Sequence, residues 1–221
     1  MEILKADLFD IPEYGILNIH CGKLPNYRGR APISRTIMNG EKYLTMTLHK
    51  IDEGVDSGDI IREKEIEIND EDDVNDIYNK CCECSGELVL EGLNDIINKT
   101  GEFKKQDLTL KPKANKAISD EERKINWNDD IVKIHNLIRA ITIPYPCAYS
   151  THKGDSYKFT KSEIFSKEKC NARTSGEVYF ADDDFILINC KDGLLKVTEM
   201  IDSNNDKVIF DKHFNIREKF E

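Results

Sequence analysis

Two polar side chains stand two residues apart at the end of an apolar run, Asn18 and His20 in "GILNIH". In a strand that spacing sends both to one face, and both lie at the C-terminal end, where open α/β sheets bind ligands. A carboxamide that donates hydrogen bonds, beside an imidazole that donates or accepts a proton, suits acyl transfer to an amine. The amide holds the oxygen on which charge develops, and the imidazole moves protons. From pattern alone, an Asn18 that caps a turn and a His20 that is simply hydrogen-bonded describe the same residues. A third group, Asp56, lies in "DEGVDSGD", where a carboxylate can reach His20 and fix its tautomer; acid-and-glycine stretches are also ordinary turns. Asp52, Glu53, Asp56 and Asp59 crowd together without the ligand spacing of an EF-hand, so calcium is not expected. "CCEC" holds a C-x-x-C spacing, but no second Cys/His pair follows at zinc-finger distance. Cys81 and Cys84 fall on an apolar stripe and read as buried thiols. His49, His135 and His152 read as structural or exposed, and His213 sits in a polar tail.

The elements that must position these residues follow an α/β pattern from Ile16 to about Lys99. "GILNIH" reads as a buried parallel strand, and "APISRTIMNG" as a short helix with Pro32 in its first turn and Gly40 past its end. "YLTMTLHKID" alternates, meets the Gly/Asp turn, and returns as "IIREKEIEI", a hairpin-like pair with Asp56 at its tip. A long amphipathic helix follows, with Val74, Ile77, Cys81, Cys84 and Leu88 at three- or four-residue spacing, and Gly101 after it. Residues 104–128 are polar and without periodicity and read as a linker between a domain over 1–103 and another over 129–221. The second domain opens with a helix from Asp129 to Ala140 that carries Ile131, Ile134, Leu137 and Ile138, and that Pro144 and Pro146 forbid from continuing. Short runs then recur ("SYKFTKSEIF", "SGEVYFA", "FILINCK", "LLKVTEM", "KVIF") at the intervals of a small antiparallel barrel or sandwich.

With 221 residues, 39% hydrophobic and 33% charged, the chain has the composition of a soluble protein able to bury a core. No stretch approaches the roughly 18 apolar residues of a membrane span, and the N-terminus has no leader-like pattern, so a cytoplasmic location is expected. Seven cysteines, an odd number and scattered except for "CCEC", suit free thiols in a reducing compartment. A formal net charge of −10 repels phosphate backbones and disfavours a nucleic-acid partner.

Asn18-x-His20, then "KLPNYRGRAP", then "DEGVDSGDII" with Asp56 resemble the Asn-His-Asp active site of N10-formyltetrahydrofolate-dependent formyltransferases. "INWNDDIVKIHNLIRAITIPYPCAYS", with Trp127 and Arg139, resembles the family's segment that joins the catalytic domain to a small C-terminal barrel. The resemblance implies a partial Rossmann-like formyltransferase domain followed by an antiparallel, OB-like β-barrel. It implies formyl transfer from N10-formyltetrahydrofolate to a primary amine. Asn18 and His20 would stabilise the oxyanion, and Asp56 would pair with His20 and help remove the amine's proton. Gly22, Lys23, Leu24 and Pro25 correspond to the family's folate-contacting "SLLP" run, with Gly22 and Lys23 departing from it. Asp52, Glu53, Gly54 and Val55 correspond to the loop that lines the family's pterin pocket.

Within the family the acidic charge, the spacing of "RAITIPYP" and the Leu-His pair ending at His49 lean toward enzymes that formylate the amino group of a nucleotide-linked sugar. Methionyl-tRNA is the alternative acceptor. Family members carry a further N-terminal half of the catalytic domain before the segment that "ILKADLFDIPEYG" resembles. Three expectations follow from that difference: a truncated, impaired family member, completion by a homodimer or a complementing chain, or cover of the gap by an element elsewhere in the sequence.

Overall fold

The computed structural model describes residues 8, 9, 11–109, 113–168 and 173–221. Cys170 and part of "ILKADLFDIPEYG" lie outside the described residues. The chain divides into two compact units, one formed by Met1–Thr36, Glu41–Asp70 and Asn75–Ala117, the other by Ile37–Gly40, Glu71–Val74 and Ile118–Glu221.

The first unit is built on three strands, β1 (Leu17–His20), β2 (Tyr43–Lys50) and β3 (Ile60–Glu67), in the order β1-β2-β3. Both pairings are antiparallel, which corrects the expectation of a parallel strand at "GILNIH". A short β-branched, apolar run signals a buried strand but carries no information about direction. Between β1 and β2 lies the helix α1 (Pro32–Met38), which begins with proline as expected. It ends at Gly40, whose φ of +70° suits glycine and whose N–H donates to the Ile37 carbonyl. In β2 the alternation sends Leu44, Met46 and Leu48, all buried, to one face and Thr45, Thr47 and His49 to the other. The long helix α2 (Val74–Asn98) packs on the apolar face. Gly92 approaches so closely that a Cβ there would collide with the Leu48 side chain, while Ile77, Cys81, Leu88 and Ile96 are buried along the helix. Each such side chain contributes roughly 1.5–3 kcal/mol of hydrophobic stabilisation, so α2 holds β2 firmly and with it the polar face beyond.

The polar stretch 104–128, read as a linker, is pinned in places. Lys104 exchanges both backbone hydrogen bonds with Ile60 at 2.9 Å, and Asn115 bonds the Arg28 carbonyl and the Arg30 N–H. Further on, Ser119 and Glu122 form a reciprocal capping box at the start of α3 (Asp120–Arg123).

In the second unit α4 (Ile131–Ala140) buries Ile131, Ile134 and Ile138 as its spacing predicts. Five antiparallel strands follow, β4 (Ala148–His152), β5 (Asp155–Ser166), β6 (Val178–Ala181), β7 (Ile186–Asn189) and β8 (Leu194–Ile201), in the order β4-β5-β8-β7-β6. Residues 217–221 run between the two outer strands: Glu221 and Thr151 exchange hydrogen bonds, Phe220 donates to Gly176, and Arg217 and Glu218 pair with Val178. The sheet thereby closes into a small barrel around Trp127, Phe159 and Phe220, whose rings pack at 5.5–5.9 Å. "KVIF" does not form a strand. Lys207 makes a single bridge to Ile201 and the Val208 N–H donates to the Met200 carbonyl, so Val208 and Phe210 are buried and Lys207 and Ile209 exposed as in a strand, but the ladder stops there and Phe210 opens α5 (Phe210–His213). No helix among the described residues is long and apolar enough to cross a membrane.

Candidate active site

The register of the first sheet sets the site. Asn18 lies opposite His49 and His20 opposite Thr47, so these four side chains share the sheet face turned away from α2. The ladder slips by one residue between Leu48 and His49, a local bulge that leads into the loop after β2. That loop carries Asp56 with φ of +50°, an unusual conformation that aspartate tolerates better than most residues.

Asp56 is fixed from several sides. Its Oδ2 accepts the Gly29 N–H at 2.8 Å and lies 3.6 Å from His20 Nδ1, while its Oδ1 lies 3.8 Å from His49 Nε2. Its backbone carbonyl, with that of Gly58, accepts from Gln106 Nε2 at 3.0 and 2.7 Å. Within the loop Asp52 Oδ1 accepts from Ser57 Oγ and the Gly54 N–H. Gly29 itself has φ of +94°, and a Cβ there would strike the Asn115 backbone. Only glycine lets the chain turn there and still present its N–H to Asp56.

His20 is buried, and its Nε2 donates to the Tyr27 carbonyl at 2.8 Å. A carbonyl only accepts, so the ring's variable nitrogen is Nδ1, the one that faces Asp56. Gly22 leaves room for this arrangement: a Cβ would approach Tyr27 and Pro32 at 2.8 Å and His20 Nε2 at 3.1 Å. Asn18 donates from Nδ2 to His49 Nε2 at 3.1 Å, and His49 Nδ1 donates to the Lys50 carbonyl at 2.7 Å. His49 is 2% exposed. Burial pushes its pKa down, only partly offset by the Lys50 carbonyl and the Asp56 charge.

The structure therefore brings Asn18, His20 and Asp56 together and adds His49, which the sequence pattern read as structural or exposed. The available signal was the pairing of Thr47 and His49, two polar positions on one side of an otherwise apolar strand. The expected cofactor residues form two neighbouring loops. Gly22 and Leu24 are buried, Pro25 is half-buried and Lys23 is exposed; Asp52, Glu53, Gly54 and Val55 are exposed. Arg28 Nε joins the loops through the Val55 carbonyl at 2.9 Å. Beside them, the buried Gln106 Oε1 accepts no hydrogen bond within the described residues, leaving an acceptor for a ligand N–H.

The C-x-x-C spacing stays outside this cluster. Cys81 is buried on α2 and hydrogen-bonds Cys21; that bond and burial push its thiol well above the ordinary range, which keeps it a thiol.

Comparison with known proteins covers nearly the whole chain. Residues 1–93 match the family described as formyl transferase, and residues 117–216 match its C-terminal domain. The chain is 36% identical to a methionyl-tRNA formyltransferase from Caldicellulosiruptor saccharolyticus over 90% of its own length and 63% of that protein's. With another from Halothermothrix orenii the identity is 34%, over 97% of this chain and 70% of the relative. Among solved structures, an N-formyltransferase from Helicobacter canadensis in complex with folinic acid and dTDP-3-aminofucose superimposes with a TM-score of 0.66 and 27% identity, covering 83% of this chain and 65% of that one. HypX from Aquifex aeolicus shares the fold at a TM-score of 0.67 and 24% identity, over 87% of this chain and 34% of that one.

Proposed function

Because this chain belongs to the formyl transferase family, we propose that it transfers a formyl group from N10-formyltetrahydrofolate to a primary amine, with Asn18, His20 and Asp56 as the catalytic residues. The observation that carries this reading is the convergence of a carboxamide and an imidazole on one sheet face with a carboxylate from the loop after β2, each held by a separate backbone or side-chain contact. N10-formyltetrahydrofolate supplies, when bound, a formyl carbon to which the amine nitrogen bonds as the bond to N10 breaks, the amine's proton passing to the folate nitrogen. Gly22, Lys23, Leu24 and Pro25, with Asp52, Glu53, Gly54 and Val55, would hold it, and the unpaired Gln106 Oε1 suits a heterocycle rich in N–H donors.

The chain's own groups then divide the work. One Asn18 N–H is committed to His49; the other has no partner among the described residues and can donate to the oxygen on which charge develops. His20 Nδ1 takes up and returns a proton, because Tyr27 keeps Nε2 as a fixed donor. Asp56, anchored by Gly29, presents the countercharge to Nδ1 and keeps the ring in that orientation.

The relatives at 34–36% identity favour the amino group of methionyl-tRNA as the acceptor. A second acceptor, the amino group of a nucleotide-linked sugar, is supported by the neighbour that binds dTDP-3-aminofucose and by the chain's net charge of −10. The test uses the full 221-residue chain with a non-reactive formyl-folate analogue and both acceptors. Binding of the analogue, product with one acceptor, and a loss of about 100-fold or more in His20→Ala without loss of fold support the assignment. Near-normal turnover by His20→Ala removes it, and analogue binding without turnover by the wild type assigns an impaired or assembly role.

A further inference from the structure

We propose that His49 is a positioning residue: as a neutral ring protonated on Nδ1, it sets which end of the Asn18 carboxamide faces the reacting oxygen. The inference rests on the formyl-transfer reading above and adds to it a residue outside the catalytic trio.

The hydrogen-bond directions force the assignment. The Lys50 carbonyl accepts only, so its 2.7 Å contact places a proton on His49 Nδ1. A neutral ring then carries its lone pair on Nε2, and the carboxamide 3.1 Å away must bring its N–H there, not its oxygen. The amide plane is thereby fixed, with its second N–H available for the reaction. Without an acceptor at this point the carboxamide is free to rotate by half a turn and offer oxygen to oxygen, which repels the developing charge.

The same geometry gives His49 a second state. Once protonated, Nε2 becomes a donor, the bond from Asn18 is lost, and Asp56 Oδ1 at 3.8 Å is the nearest anion. The groups facing the ring are Asp56 and Asp52 from the loop after β2, His20 from β1 with its ring centroid 6.5 Å away, and the Lys50 carbonyl; β3 offers only the apolar Ile60 opposite. Burial outweighs the two carboxylates and keeps the ring neutral. Acidification would therefore pull Asp56 and Asn18 out of register together.

The experiment reads the ring directly and then its effect. Long-range proton–nitrogen spectra of the histidine rings in the full chain, with His49→Gln identifying the signal, should show His49 protonated on Nδ1 near neutral pH; protonation on Nε2 overturns the proposal. His49→Leu should lower kcat by about 100-fold, the range for losing one oxyanion donor, while the formyl-folate analogue binds within about threefold of wild type. His49→Gln, whose carbonyl can accept the same Asn18 N–H, should recover most of kcat and, when kcat is followed against pH, lose the part of its fall at acid pH that comes from protonation of His49. Wild-type kcat in His49→Leu, or equal impairment in both variants with weakened analogue binding, overturns positioning and leaves a packing role. If the wild-type chain forms no product with either acceptor, the formyl-transfer reading fails, yet the spectra still decide whether His49 accepts from Asn18.

Discussion

Asp56 is the residue on which the site's contacts converge. One oxygen is held by the Gly29 N–H and faces His20, and the other faces His49, so a single carboxylate lies beside two imidazoles. Asp56→Asn preserves size but removes the charge and turns an N–H toward either Gly29 or a histidine. We expect kcat to fall by at least about 100-fold, within the range of positioned acid–base groups, with the formyl-folate analogue still bound; retained turnover would remove Asp56 from the mechanism. His49 yields a prediction about stability. Its folded-state pKa is below the ordinary 6.5, so the unfolded chain binds the proton first and the fold loses stability as pH falls through and below that value. In urea unfolding between neutral and mildly acidic pH, wild type should lose more stability than His49→Gln, which has nothing to protonate there. Equal slopes would show that the ring titrates alike in both states. At this scale the individual patterns fit ordinary turns and caps equally well, and it was the resemblance of the three segments taken together that pointed to Asn18, His20 and Asp56, which the structure brings within reach of one another. His49 was not legible there, because its partner depends on the register of β1 against β2.

Elements were legible where a period or a terminator marks them. The apolar spacing of α2, the Pro32 and Gly40 ends of α1 and the Ile stripe of α4 appear in the structure as read, except that Cys84 and Leu137, read on those stripes, are only half-buried at their edges. Strand direction was not, since an apolar run fits either pairing, and "KVIF" alternates in burial like a strand yet makes only one bridge before α5 begins, which side-chain pattern alone does not reveal. The stretch 104–128 lacks periodicity because its order comes from Gln106 and Asn115, side chains and backbone that serve the loops of the site. Two glycines test this division. Gly86 lies exposed within α2, and a Cβ there meets nothing, so Gly86→Ala should stabilise the unit by roughly 0.8–1 kcal/mol in urea unfolding. Gly29→Ala should do the opposite and lower activity as well, since the added Cβ meets the Asn115 backbone at a positive φ and displaces the N–H that holds Asp56. Activity unchanged in a destabilised Gly29→Ala would mean that Asp56 needs no anchor.

At the scale of the whole molecule, the family could be read from motifs spread across both units, whereas the acceptor could not. A primary amine is the same nucleophile on a sugar and on an aminoacyl ester, so the trio is blind to what carries it, and discrimination falls to surfaces that recognise the rest of the acceptor. Net charge was the sequence's guide to those surfaces, and −10 pointed to a small acceptor, while the relatives at 34–36% identity point to tRNA. Total charge is a poor arbiter because local basic patches govern phosphate contacts. Salt separates the two physically. A tRNA acceptor binds by displacing counterions, so kcat/KM should fall with a log–log slope of roughly −0.7 to −0.9 per phosphate contact. A nucleotide-linked sugar presents few phosphates and should show a shallow slope. We therefore expect formylation of methionyl-tRNA to drop by about tenfold or more over a few-fold rise in salt if several phosphates are contacted, with analogue binding by the same preparation nearly constant. A flat response together with efficient formylation of an amino-sugar nucleotide would transfer the assignment to the sugar, and would return the acidic balance of the chain to the role first read from its composition.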